Sequence, residues 1–103
     1  MTNLFHITEA ICWQAARAEG IYRAASLQTE GFIHLSERDQ VPWVGNQFYR
    51  GQTGLVLLEI DRALLTSELR YDKVPGHGTF PHLYGPLNLE AVVRVSSFEP
   101  EEN

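Results

Sequence analysis

The run Leu55-Val56-Leu57-Leu58-Glu59-Ile60 is the most apolar stretch of the chain, and it limits the possible folds more than any other feature. A short continuous apolar run reads as a central strand buried on both faces. Partners for it are at hand. Leu4 to Ile7, Phe32 to Ser36, Leu69 to Val74 and Ala91 to Val95 have strand character, with Phe98 continuing the last. Phe80 to Tyr84 is extended and is broken by Gly85-Pro86.

Two helices fall between the early strands. Thr8 is a suitable N-cap and Glu9 favours the positive end of a helix. Ile11, Ala15 and Ala18 then recur at helical spacing, with Cys12 and Ala16 beside them, and Gly20 ends the run. Ser36 or Asp39 caps a second helix over Gln40 to Tyr49. There Pro42 is confined to the first turn, Val41, Val44 and Phe48 form the apolar stripe, and Gly51 stops it. Ile21 to Glu30 reads as a loop with room for one helical turn. Asp61 caps another turn through Leu65, and Pro75 to Thr79 is a turn. The expected fold class is α+β: a small single domain over residues 1–99, with a mixed or antiparallel split β-sheet and two main helices in the N-terminal half. Residues 100–103 form an acidic tail expected to be disordered.

A chain of 103 residues can close one core without disulfides or metal. Thirteen acidic residues against eight basic give a net charge of −5, which disfavours broad binding to nucleic-acid backbone or to anionic membrane. It leaves room for one small anionic ligand held by an arginine or two. The N-terminus has no basic region followed by a long apolar run, and no apolar stretch approaches a membrane span, so the expected location is the cytoplasm. Cys12 is the sole cysteine and reads as a small core residue.

Four histidines stand at positions 6, 34, 77 and 82. His6 and His34 are each embedded in a short apolar strand, and His82 lies in an extended segment, so the three can share a pocket. There they can donate hydrogen bonds or transfer protons near neutral pH. His77, between two glycines, reads as solvent-exposed. The spacing matches no zinc motif, no Gly-x-Ser-x-Gly elbow, no phosphate loop and no dinucleotide fingerprint. Arg23 and Arg50 can clamp a phosphate or carboxylate, although Arg50 at a helix C-terminus is favourable without a ligand. Trp43, Phe48, Tyr49 and Tyr84 can stack on a base, while Trp43 reads first as core.

The blocks Leu4-Phe5-His6-Ile7, Gly31-Phe32-Ile33-His34, Asn46-x-Phe48-Tyr49-Arg50-Gly51 and Phe80-Pro81-His82-Leu83-Tyr84-Gly85-Pro86-Leu87 carry a resemblance to the bacterial domain-of-unknown-function 952 family. That family in turn resembles a minimal ADP-ribosyltransferase-like fold, a split sheet around an NAD cleft. The resemblance implies a nucleotide- or NAD-type ligand, with NAD as a possible substrate, and ADP-ribosyltransferase-like or phosphotransferase-like activity. It places His6 at the first motif position, on the nicotinamide ribose, and His34 at the second. The third position, usually glutamate, falls on His82 and Tyr84. The implied catalytic set is His6, His34 and His82. The implied ligand contacts are Arg23, Ser26, Ser36, Asn46, Tyr49, Arg50 and Tyr84, with no metal. A non-catalytic binding module on the same fold, or a histidine-dependent metal site, are the alternatives.

Overall fold

A computed structural model describes residues 2–100; the acidic tail expected over residues 100–103 lies, but for Pro100, outside the described residues. Among the described residues there are eight strands and three α-helices; strands and helices alternate through the first half, and strands dominate the second. They are β1 (Leu4–Glu9), α1 (Ala10–Glu19), β2 (Ile21–Tyr22), α2 (Ala25–Glu30), β3 (Ile33–His34), α3 (Val41–Phe48), β4 (Leu55–Ile60), β5 (Glu68–Val74), β6 (Gly78–Tyr84), β7 (Leu87–Asn88) and β8 (Val92–Phe98). The strands form three sheets, ordered β1-β4-β8, β2-β7 and β3-β6-β5. Every pairing between these strands is antiparallel, which narrows the mixed or antiparallel expectation. The class is α+β, as the sequence implied.

The apolar run is β4, and it is the middle strand of its sheet. Burial on both faces is incomplete. Leu55, Leu58 and Ile60 are buried, whereas Val56 and Leu57 are only half-buried. The strand divides its side chains between two separate apolar clusters. Leu58 joins Leu4, Ile33, Leu83 and Leu87 in the main core, while Leu55 packs with Phe5, Ile7 and Val41 under α3. The first and third sheets are stitched at one point. Phe5 N–H donates to the Ser36 carbonyl at 2.9 Å, and Ser36 N–H donates to the Phe5 carbonyl at 2.8 Å.

Strand period two explains which side chains face where. Ile33 and Leu83 are paired across β3 and β6 and point into the core with no exposed surface. Their neighbours His34 and His82 are also paired, and therefore share the opposite face. Arg70 on β5 is opposite His82, so Asp72, two residues along, lies on that same face.

Several local expectations shift. Thr8 is buried inside β1 and does not cap α1; Glu9 occupies that position, and Gly20 closes the helix at φ 91° as expected. The apolar stripe of α1 is rotated. Ala16 and Trp13 meet the core, while Ile11, Cys12, Ala15 and Ala18 are exposed, so Cys12 is not a core residue. Ile21 to Glu30 holds strand β2 and helix α2 where a loop was expected, with Gly31 in a left-handed cap at φ 91°. α3 ends at Phe48, one residue short of the expected limit, and packs through Gly45. A Cβ there would come within 2.7 Å of the Phe98 ring, so β8 approaches closely only because the side chain is absent. Among the described residues, no helix is long and apolar enough to cross a membrane.

Leu58 has no exposed surface and sits at the junction of β1, β4 and β8. Leu58→Ala is expected to lower unfolding free energy by about 2–5 kcal/mol, read as a lower urea midpoint with an unchanged denaturant slope.

Candidate functional site

The face that carries His34 and His82 opens on a concavity of about 860 Å³, walled by β1, α1, the β2–α2 segment, α3 and the end of β6. His6, His34 and His82 all line it, as do Arg23, Ser26, Ser36 and Tyr49. Asn46, Arg50 and Tyr84 do not. Arg50 follows the end of α3 and is exposed, and Tyr84 lies beyond His82 with its hydroxyl turned to Asp72.

The three histidines have different roles. His6 is buried and both its ring nitrogens are engaged within the protein. Nδ1 is 2.7 Å from the His34 carbonyl, and Nε2 is 2.8 Å from the Tyr22 hydroxyl. A carbonyl only accepts, so Nδ1 carries the proton. Burial holds the imidazole neutral by lowering its pKa from 6.5 to about 4, against the backbone hydrogen bond, which raises it. In that neutral ring Nε2 is an acceptor, so the Tyr22 O–H donates to it. The Thr8 hydroxyl, 2.9 Å from the Tyr22 oxygen, completes the chain by donating in turn. Burial also pushes the Tyr22 phenol up to about 12, so it stays protonated as the relay requires. This corrects the assignment of His6 to a ligand's ribose. Its nitrogens are already satisfied, and its effect is to hold β1, β2 and β3 together.

His34 is the exposed member. Its Nε2 is 3.2 Å from both Glu30 carboxylate oxygens, one helical turn of sequence earlier, and its ring stands edge-on to His82 with centroids 5.2 Å apart. His82 is 4% exposed. Its Nδ1 is 2.8 Å from Asp72 Oδ2, and Phe32 stacks on its ring at 4.0 Å and 16°. Asp72 is held below the usual carboxylate range, first by the Tyr84 hydroxyl and then by His82. Tyr84 is raised in return by the same bond.

The remaining expected contacts are mostly committed to the fold. Ser26 donates to the Phe32 carbonyl at 2.8 Å, Ser36 forms the inter-sheet stitch, and Tyr49 donates to the Ile7 carbonyl at 3.4 Å. Arg23 pairs with Glu19 on the surface, an interaction worth roughly 0–1 kcal/mol and easily exchanged for another anion. Trp43 is not core. It is 37% exposed on the concavity wall, with Phe48 at 5.8 Å, Phe80 at 5.9 Å and His77 at 4.8 Å between ring centroids. Phe48, expected in the buried stripe of α3, is 61% exposed beside it. His77 is exposed as expected, yet it too lines the concavity.

Sequence reasoning missed Thr8, Glu30 and Asp72. Glu30 sits four residues before His34, a spacing visible in the sequence. Asp72 reaches His82 only through the β5–β6 register, for which no local signal exists. Among the described residues, no group of three His, Cys, Asp or Glu side chains converges as a metal would require.

The fold and this face define a small α+β domain whose antiparallel sheets present paired imidazoles to one concavity. The chain belongs to the DUF952 family, described as proteins of unknown function, whose model matches residues 7–95. It is similar to protein CC0527 from Caulobacter crescentus. The crystal structure of that protein is 34% identical over 97% of this chain and 89% of that one, with a TM-score of 0.88. Its solution NMR structure matches at 34% identity over 98% and 88% of the two chains, with a TM-score of 0.83. No curated protein matches the chain. These matches carry the family and do not extend to ADP-ribosyltransferases.

The His6 relay predicts a pH dependence. The unfolded chain takes up this proton as pH falls through about 6.5, and the folded protein only near 4. Its contribution is therefore complete above pH 6.5 and declines by roughly 3 kcal/mol on the way to pH 4. Urea titrations across that window should show the decline in the wild type and a shallower slope in His6→Gln. Tyr22→Phe removes the donor to a buried nitrogen and should cost about 1–3 kcal/mol at neutral pH.

Proposed function

We propose that the concavity binds the ring-and-ribose portion of a nucleotide- or NAD-type small molecule. The observation that carries this reading is the pairing of an unfilled aromatic wall with an imidazole wall in one space of about 860 Å³, a size typical of small-molecule sites. Trp43 and Phe48 leave apolar ring surface open to water, which a planar heterocycle would cover. His34 and His82 face the same space with polar nitrogens.

Charge indicates how such a ligand would lie. The walls include the carboxylates of Glu9, Glu19 and Glu30 against the single guanidinium of Arg23. Phosphates are repelled by that balance, so they project outward toward Arg23 while the heterocycle and ribose enter. A positively charged ring such as nicotinamide suits the same surroundings.

Binding is favoured over ADP-ribosyl or phosphoryl transfer by one feature. The carboxylates nearest the imidazoles are both engaged, Glu30 by His34 and Asp72 by His82. Asp72, held by both His82 and Tyr84, is not free to stabilise a developing ribosyl cation, and Glu30 is occupied for as long as His34 holds it. The leading reading is therefore a non-catalytic ligand-binding domain, with transferase chemistry as the alternative that nicotinamide release would establish.

Cys12 supplies a direct reporter, since it is the sole cysteine, is exposed and lines the concavity. Saturating NAD, ADP-ribose or adenosine should slow its alkylation by a maleimide. A ligand at 100 times its dissociation constant should also stabilise the fold by about 2.7 kcal/mol. Trp43→Ala should weaken binding by about 1–3 kcal/mol if a ring stacks there. Unchanged alkylation and melting with every one of these ligands would remove the proposal.

A further inference from the structure

His82 carries the feature of the concavity that the reading above leaves unexplained. Among the described residues, its Nε2 is the buried side-chain nitrogen or oxygen without a hydrogen-bond partner. Buried polar atoms are nearly always paired, because an unmade bond in the interior forfeits what water would have supplied. The orphan is also not accidental in its chemistry. Asp72 accepts from Nδ1 at 2.8 Å, and the carboxylate is itself anchored by the Tyr84 hydroxyl. In the neutral imidazole, a proton on Nδ1 leaves Nε2 with a bare lone pair. Asp72 and Tyr84 thus prepare an acceptor, and an acceptor needs a donor.

We propose that Nε2 of His82 accepts a hydrogen bond from a hydroxyl group of the ligand, with Asp72 as the positioning residue that sets the tautomer. This rests on the concavity being a ligand site. It adds the chemical class of the group that must reach the floor: a hydroxyl donor, such as a ribose hydroxyl, and not an ether or a deoxy carbon. The nitrogen has essentially no exposed surface, so a neighbour must move to admit the donor. His34 is the exposed ring beside it and the one with the least to hold it. Its ring stands edge-on over His82 at 5.2 Å, its side chain is 53% exposed, and its ring nitrogen is held by the equally exposed Glu30. A turn of the His34 side chain gives up the exposed Glu30 contact and its edge contacts with the Phe32 and His82 rings, and leaves the backbone pairing of β3 with β6 intact. Phe32, stacked on the His82 ring itself at 4.0 Å and 16°, holds that ring in place meanwhile.

A site built around a hydroxyl rejects an analogue lacking it far more strongly than an apolar pocket rejects a missing methylene, because the acceptor is then left unpaired. The test uses nitrogen NMR of the histidine rings above pH 7, with adenosine, 2′,3′-dideoxyadenosine and D-ribose as probes. The expected free-state spectrum of His82 shows a protonated Nδ1 and a lone-pair Nε2. Adenosine should move the Nε2 resonance and bind at least about tenfold more tightly than the dideoxy compound. Asp72→Asn should weaken adenosine while leaving dideoxyadenosine unchanged; a purely structural role for Asp72 would weaken both alike and overturn the assignment. If that variant does not fold, the wild-type tautomer and the adenosine pair decide. A proton on Nε2, equal affinities for the two nucleosides, or an Nε2 resonance unmoved by adenosine and by D-ribose would each overturn it. If adenosine fails to bind and D-ribose still moves Nε2, the nucleoside reading falls and the acceptor assignment stands.

Discussion

The buried imidazole of His6 is the contact on which the rest of the arrangement depends. It sits on β1 beside the Phe5–Ser36 stitch, takes the His34 carbonyl with one nitrogen and the Tyr22 hydroxyl with the other, and so joins three strands from three different sheets. A burial of this kind is tolerable only when every lone pair and proton is matched. The requirement fixes the tautomer, and the tautomer in turn fixes the direction of the Tyr22 and Thr8 hydroxyls. Because the carbonyl it binds belongs to His34, the same bond sets where the β3 backbone runs past the concavity.

From that anchor the two faces of β3 and β6 separate their tasks. Ile33 and Leu83 close the core, and the residues in alternate register, His34 and His82, are presented on the other side. Each of these imidazoles is backed by a carboxylate from a different element, Glu30 from α2 and Asp72 from β5. The exposed pair can rearrange at little cost, whereas His82 is buried and its half-exposed partner Asp72 is also tied to Tyr84. That asymmetry sets an exposed imidazole beside a buried one on the same face. Across from them α1 and α3 turn apolar side chains toward open space. Trp43, Phe48 and Cys12 therefore appear on the wall, although their sequence patterns suggested burial.

The elements were largely legible in the chain. Leu55–Ile60 is the central strand, Gly20 closes α1, Pro42 stays within the first turn of α3, and Asp61 caps its short turn by accepting from Ala63 N–H at 3.0 Å. The candidate site was legible in part. His34 and His82 could be placed on strands, and strands of alternating character can present them together. What could not be read was the state of His6. Nothing in Phe5-His6-Ile7 distinguishes an imidazole that faces a ligand from one satisfied by a distant tyrosine and a distant carbonyl. Arg50, Asn46 and Tyr84, expected as ligand contacts, do not line the concavity, since helical or strand position sets a direction only after the element has been docked.

The sequence by itself determined the α+β class, the order of the longer elements and the family, because apolar period, turn residues and contiguous motif blocks are all local properties of the chain; the short elements β2, α2 and β7 carried no such signal. Tertiary structure alone decided which histidine is structural and which are presented. It also decided that α1 turns Cys12 and Ala15 to the concavity, and that Asp72 lies behind His82. Each of these depends on strand register and on helix rotation about its own axis. Both are set by contacts between residues far apart in the chain, where one step of register carries a side chain from the core to the opposite face.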